Sequence, residues 1–334
     1  MKHKVKSGGK LYLAGEYAIL TAGQSALIKQ IPVYMQAEIE PSSRYHLESD
    51  MFDYAVDLTP DSGYALIQDA VAMMETYLVS QGLAPRPFSL VITGKMEKED
   101  KKFGLGSSGS VVVLTVRAVA ALYGLTLSPD LVFRLAAAIL LKHGDNGSMG
   151  DVACIAYDDL VVYTSFDRAR VAQALAEKPL EVVLKENWGY TIQVLKPAVS
   201  CDFLVGWTKQ PSLSRLMIQE VQAAITEEFL EATNQEVKTL AQAMSDGDKK
   251  QVVSSLARAS QLLEDLSPKI YPPMLRRLKE SATGLDAVAK SSGAGGGDCG
   301  IALSFSLESS LELKKRWQKQ GIEVLYEEKM GPNE

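Results

Sequence analysis

Three glycines and three serines fall within the seven positions Gly104-Leu105-Gly106-Ser107-Ser108-Gly109-Ser110, directly ahead of the apolar run Val111 to Tyr123. A loop of this kind bares backbone N–H groups at the start of a helix. Glycine permits positive φ and close approach of a ligand, the first-turn amides point outward, and the helix dipole adds about half a positive charge there. The chemistry this suits is the binding of phosphate. The other reading of the same residues is a glycine-rich turn that merely caps a buried helix.

Three phosphate-loop fingerprints overlap the stretch. Gly104, Gly106 and Gly109 spell G-x-G-x-x-G, but the dinucleotide form needs an apolar strand before it and an acidic residue about 20 positions later. Here the preceding residues are Glu97-Lys98-Glu99-Asp100-Lys101-Lys102, and the next carboxylate is Asp130. Val111 completes the protein-kinase glycine pattern, yet V-A-I-K, H-R-D and D-F-G are all absent. A P-loop would require lysine at Ser110. A nucleotide-phosphate loop of a different lineage remains.

The chain around this loop has 334 residues, 46% hydrophobic and 23% charged, enough for two domains with substantial cores. The net charge of −6 and the lack of a long basic stripe argue against nucleic acid as a partner. Cys154, Cys201 and Cys299 are odd in number and lack metal-ligand spacing, which suits free thiols in a reducing compartment. His3, His46 and His143 are too few and too scattered for zinc chemistry or a Ser-His-Asp triad. Neither a signal-peptide core nor a membrane-length apolar span is visible, so a soluble cytosolic protein with no membrane partner is expected. Oligomeric state leaves no mark on the sequence.

The elements that must position the loop can be read from periodicity. Gly9 to Leu20 reads as a short apolar strand, a tight polar break and a second apolar run. Val33, Met35, Ala37 and Ile39 alternate with polar residues as in a half-buried strand, and Phe88, Leu90 and Ile92 mark another. A helix is predicted from about Tyr64 to Gln81, stopped by Gly82, and a second from Val111 to Tyr123. Ser128-Pro129-Asp130 supplies an N-cap, a first-turn proline and an acidic first turn for a helix to about Lys142. Asp145 to Ala153 is a second glycine-rich polar turn entering an apolar run, with Ser148 and Asp151 at the junction; a plain helix cap is the alternative reading.

Past a strand at Leu160 to Phe166, the segment Asp167 to Asn187 is expected to cross between domains, giving units of residues 1–180 and 181–334. The second unit is expected to open with strands at Thr191 to Leu195 and Asp202 to Trp207 and to be mainly helical from Leu213 to Lys290. A third glycine cluster, Ser291 to Gly300, precedes a strand, a helix at Leu307 to Gln320 and a closing strand at Ile322 to Tyr326. Apolar strand residues follow the cluster at once, so a packed loop is preferred to a linker. The order predicts an α+β sandwich, with helices on one face of an antiparallel sheet.

Taken together, Gly9-Lys10-Leu11-Tyr12-Leu13-Ala14-Gly15-Glu16-Tyr17, Gly104 to Ser110 and Ser292 to Gly300 resemble, in order and spacing, the three motifs of the GHMP kinases. Tyr17 stands where galactokinase-like and mevalonate kinase-like members usually carry histidine, and the third motif resembles the form found in the phosphomevalonate kinase branch. The resemblance implies a two-domain fold: an N-terminal mixed α/β nucleotide-binding domain, a C-terminal ferredoxin-like α+β sandwich, and an active site between them. It also implies ATP and Mg²⁺ as cofactors, (R)-5-phosphomevalonate as the small-molecule partner, and transfer of phosphate to phosphate in isoprenoid synthesis.

An acceptor phosphate is largely ionised at neutral pH, its second pKa being about 6, so no strong base is required. The obstacle is charge repulsion, and cations and positioning must overcome it. On the resemblance, Lys10 bridges donor and acceptor phosphates, while Asp151 orients Lys10 or Mg²⁺; proton abstraction by Asp151 is the weaker option. Gly104, Leu105, Gly106, Ser107, Ser108, Gly109 and Ser110 would bind ATP, with Ser107 or Ser108 on the metal. Tyr17, Ser148, Ser292, Gly293 and Ala294 are expected at the acceptor. Lys209, Ser212 and Ser214 lie in a segment resembling the branch's Trp-Thr-Gly, although Lys209 replaces the glycine; a helix N-cap is the alternative there. Lys101 and Lys102 either reach phosphates or form a solvated face. Two other functions stay open: a kinase of mevalonate or another small alcohol, and a nucleotide-binding sensor without turnover.

Overall fold

The structure, a computed structural model, describes residues 1–212 and 214–332, without the side chains of 214–216. The chain opens with β1 (His3–Ala14) and the long β2 (Ser25–Pro41), an antiparallel pair joined through a 3-10 turn at Ala18–Leu20. After β3 (His46–Ser49), α1 (Ala65–Ser80) and β4 (Phe88–Thr93), two-residue strands β5 (Glu97–Lys98) and β6 (Lys101–Lys102) form a charged hairpin. Next come α2 (Ser107–Leu122), α3 (Pro129–Lys142), α4 (Gly150–Tyr157), β7 (Leu160–Thr164), α5 (Arg168–Glu177), α6 (Leu180–Val183) and β8 (Thr191–Val194). The strands order as β3-β4-β2-β7-β8 with β1 also on β2, a mixed sheet in which only β3 and β4 run parallel among the described pairs.

Two boundaries differ from expectation, each for a local reason. Helix α2 starts at Ser107, not Val111: Gly106 takes a left-handed conformation (φ 82°) and its carbonyl receives the Ser110 amide at 2.9 Å, closing a first turn made of the serine-glycine residues themselves. Apolar residues bury this helix on nearly every side, which its all-round hydrophobicity anticipates. Thr191–Val194 does not open the second half of the chain; it pairs with β7 and extends the first sheet. The segment before it likewise packs on the first sheet's helices, α5 against α3 and α6 against α1. Elsewhere in this half of the chain the periodicities hold, and Ser128 caps α3 as expected, its Oγ accepting from the Leu131 amide.

The second half contains β9 (Cys201–Trp207), α7 (Ser214–Val221), α8 (Glu227–Asp246), α9 (Lys249–Leu266), α10 (Pro273–Glu280), β10 (Ala287–Ser291), β11 (Cys299–Ser304), α11 (Leu307–Lys319) and β12 (Glu323–Met330). The antiparallel sheet orders β10-β11-β9-β12, and the βαββαβ sequence is that of a ferredoxin-like sandwich. Ala287–Ser291 is a strand at the end of the stretch from Leu213 to Lys290 that is expected from sequence to be mainly helical. Alternation along β9 divides two cores. Phe203, Val205 and Trp207 join the core of the first sheet, and Leu204 faces Leu275, Leu278, Leu313 and Trp317 beneath α10 and α11. The edge-to-face pair Phe103–Trp207, centroids 5.0 Å apart, therefore packs the residue before the glycine-serine loop onto the second sheet.

Candidate active site

The glycine-serine loop is held from below by β1. The Lys10 amide donates to Leu105 O at 2.9 Å, and a Cβ on Gly9 would lie 2.7 Å from Leu105 Cβ, so the strand and loop approach more closely than side chains permit. Leu105 is buried packing, and Ser110 Oγ turns inward to Ser7 Oγ at 3.1 Å. The loop's free face consists of Gly104, Gly106 and the amides of Ser107, Ser108 and Gly109, which precede the first hydrogen bond of α2. The exposed Ser108 and half-buried Ser107 hydroxyls stand on this rim.

Lys10 rises beside that face. Its Nζ donates to Gly104 O at 3.4 Å, and its stem underlies Gly106, where an added Cβ would sit 2.9 Å from Lys10 Cε. Asp151, in the first turn of α4, approaches the same glycines: a Cβ on Gly109 would be 2.8 Å from Asp151 Oδ2. Burial pushes the Asp151 carboxyl above its ordinary range; the Lys10 charge pulls it back in part and Asp145 pushes it up further. Among the described residues Lys10 and Asp151 make no contact ion pair, so the lysine is not spent on the carboxylate.

The third loop is fastened to the first motif. Ser292 Oγ accepts from the Tyr12 amide at 2.8 Å and donates to Tyr12 O at 2.9 Å, splicing the loop onto β1. The Tyr17 phenol donates to Ala294 O at 2.5 Å. The Ser148 Oγ lies 3.1 Å from the Tyr12 phenol and accepts from the Gly150 amide at 3.2 Å. Gly293 (φ 81°) has open space where a Cβ would be and presents bare backbone.

Asp298 is a residue the sequence alone did not single out. Its carboxyl fills the space that a Cβ on Gly104 would need, 2.6 Å away, and accepts from the Ser212 amide at 3.1 Å. Its carbonyl receives the Thr208 amide and hydroxyl, each at 2.9 Å. Burial raises its pKa to about 6, against the pull of the Ser212 amide, Lys10 and Lys102. An aspartate inside a glycine-rich run was the available signal.

The remaining expected residues divide. Ser212 Oγ donates to Gly295 O at 2.5 Å, within the same cluster. Lys209, in a left-handed conformation (φ 60°), pairs with Glu323 at 3.0 Å and leans over the Trp207 ring, which ties it to β12. The Ser214 side chain lies outside the described residues. Lys101 and Lys102 are exposed on the β5–β6 hairpin.

The three glycine-rich segments thus meet: Lys10 of the first rests on Gly104 of the second, and the third is fastened to the first at Tyr12 and Tyr17 and lies against Gly104 through Asp298. The residues fit Mg²⁺ only as a metal that keeps water and phosphate ligands: among the described residues no three metal-ligating side chains cluster, leaving hydroxyls and single carboxylates at the rim. The three cysteines are buried and unpaired, and among the described residues no helix is long and apolar enough to cross a membrane.

Comparison with known proteins agrees with this geometry. The GHMP kinases N terminal domain matches residues 65–159, and the GHMP kinases C terminal domain matches 231–323. A phosphomevalonate kinase of Streptomyces sp. (strain CL190) is 30% identical over 350 residues, covering 94% of this chain and 93% of that protein. The structure of Streptococcus pneumoniae phosphomevalonate kinase in complex with phosphomevalonate and AMPPNP superposes with a TM-score of 0.97 at 55% identity, covering 98% of this chain and 100% of that one. A Lin0012 protein from Listeria innocua is 32% identical with a TM-score of 0.93, over 98% of each chain. On motifs, fold and these matches alike, the chain belongs to the GHMP kinase family.

Proposed function

We propose that this chain transfers the γ-phosphoryl group of ATP to the phosphate of (R)-5-phosphomevalonate, giving 5-diphosphomevalonate and ADP. A non-bridging acceptor oxygen attacks Pγ, the bond from Pγ to the ADP oxygen breaks, and ADP leaves with those electrons. The observation that carries the proposal is the meeting of the three glycine-rich segments at Lys10 and Gly104, joined to 55% identity with a kinase solved with this acceptor and an ATP analogue.

Lys10 bridges the two phosphates and offsets the repulsion between them. Gly104, Gly106 and the α2 amides hold the nucleotide phosphates. Ser107 or Ser108 would hold Mg²⁺, which would supply further charge neutralisation. Asp151, raised in pKa and unpaired with Lys10, orients the donor side without needing to take a proton, because the acceptor arrives largely ionised. Tyr17, Ser148, Gly293 and Ala294 form the acceptor side; Ser292 and Ser212 act there by bracing the third loop. We place the enzyme in the cytoplasm, a reading supported by three unpaired buried thiols.

The test is direct: purified protein with Mg-ATP is offered phosphomevalonate and mevalonate in parallel, ADP release is followed, and the product is identified by phosphorus NMR. Diphosphate formation from phosphomevalonate is expected. Preference for mevalonate would move the enzyme to the alcohol-phosphorylating branch, and nucleotide binding without product from either would make it a sensor.

A further inference from the structure

We propose that the buried ion pair between Glu16 and Lys290 is a positioning clasp for the acceptor side of the cleft, holding the turn Gly15–Tyr17 in register with the third loop. The inference deepens the function proposed above and rests on it. Lys290 is fully buried and Glu16 nearly so, and Lys290 Nζ meets Glu16 Oε1 at 2.5 Å and Ser291 O at 2.6 Å. Both charges are out of water, and what they hold is the backbone on either side. A buried pair is a poor source of stability, since apolar residues of similar volume serve the fold as well or better; what it supplies is a unique placement.

The segment on the Glu16 side needs holding. Gly15 (φ 98°) and Tyr17 (φ 62°) both have positive φ, and for a tyrosine that conformation is strained. On the other side, the end of β10 and the turn that follows it grip the first motif: Lys290 takes Glu16, Ser292 takes the backbone of Tyr12, and Ala294 takes the Tyr17 phenol. The clasp is the only charged member of this described ladder and lies at its base, next to the sheet. Releasing it lets the strained turn relax and carries the Tyr17 phenol away from Ala294 and the acceptor.

Single substitutions leave an unpaired buried charge and confound folding with function, so the deciding variant is the apolar double, Glu16→Met with Lys290→Met. It should melt close to the unsubstituted protein, raise KM for phosphomevalonate about tenfold or more, and leave KM for ATP within about twofold. An unchanged acceptor KM, or an equal rise in both constants, overturns the clasp. Assayed alongside, the unsubstituted protein reports separately on the acceptor: absence of diphosphate product there sinks the proposed function, whereas product there with an unaltered double variant sinks only the clasp. Should the double variant not fold, hydrogen exchange on the unsubstituted protein decides. Phosphomevalonate should protect amides of 15–18 and 290–294 together; protection of one segment alone overturns the proposal.

Discussion

Alanine at Gly109 tests whether the placement of Asp151 matters to the chemistry. The residue sits in the first turn of α2 with helical backbone, so alanine is conformationally welcome and favours the helix by up to roughly 1 kcal/mol. Its methyl carbon, however, would lie 2.8 Å from Asp151 Oδ2, 3.1 Å from Asp151 Cγ and 3.2 Å from Val152 Cγ1. Ordinary contact begins at 3.4 Å, so the carboxylate must retreat by about 0.6 Å. Overpacking of this kind costs about 1–3 kcal/mol, which the helix gain partly offsets, so the melting temperature should change little. Activity should respond more. If a 1 Å misplacement near reacting groups can cost about 100-fold, 0.6 Å corresponds to about tenfold in kcat, or roughly 1.4 kcal/mol. The assay is ADP release at saturating Mg-ATP and phosphomevalonate, with thermal unfolding followed in parallel. In an Asp151→Asn background the alanine should cost much less, because the two changes act on one group. A kcat within twofold of the parent in a normally folded Gly109→Ala protein would refute the reasoning.

Lys10→Met should lower kcat by about 100-fold or more by removing the cation between two polyanions, while the fold survives because among the described residues Lys10 makes no contact ion pair and its ammonium donates only a long bond to Gly104 O; an unchanged turnover number would reassign the bridging charge. Asp151→Asn should reduce turnover with ATP affinity kept within a few-fold by equilibrium binding, and a full-rate variant removes Asp151 from the mechanism. Asp298 gives a pH test. Its folded pKa of about 6 lies above its ordinary 3.8, so the folded state binds the proton more tightly, and this residue's contribution to stability falls as pH rises through that window. Between pH 4.5 and 7.5 the loss comes to roughly 2 kcal/mol, so Asp298→Asn, which keeps an acceptor for the Ser212 amide, should gain on the parent by up to that amount in denaturant titrations at the two pH values. An equal difference at both would show that the carboxyl is not held protonated by burial.

Local chemistry made much of this molecule legible from its residues. Glycine spacing located the three loops, because only glycine tolerates left-handed backbone at Gly104, Gly106 and Gly293 without penalty, and apolar periodicity located the helices and strands. The α2 boundary slipped because the sequence reads hydrophobicity, and the first turn of this helix is polar; its helicity comes from the Ser110–Gly106 hydrogen bond. Strand β10 was hidden because it carries a buried lysine, a residue that belongs inside only when its partner is known, and that partner is 274 positions away. Lys209 reads as an acceptor ligand by its place in a motif, yet Glu323 draws it to β12. Residue types and their order along the chain settled the family, the phosphate-binding character and the architecture. Which hydroxyls face ligand and which brace backbone, which carboxylates are desolvated, and which charges meet in pairs depended on distances between segments far apart in the chain, and those exist only once the two sheets have packed.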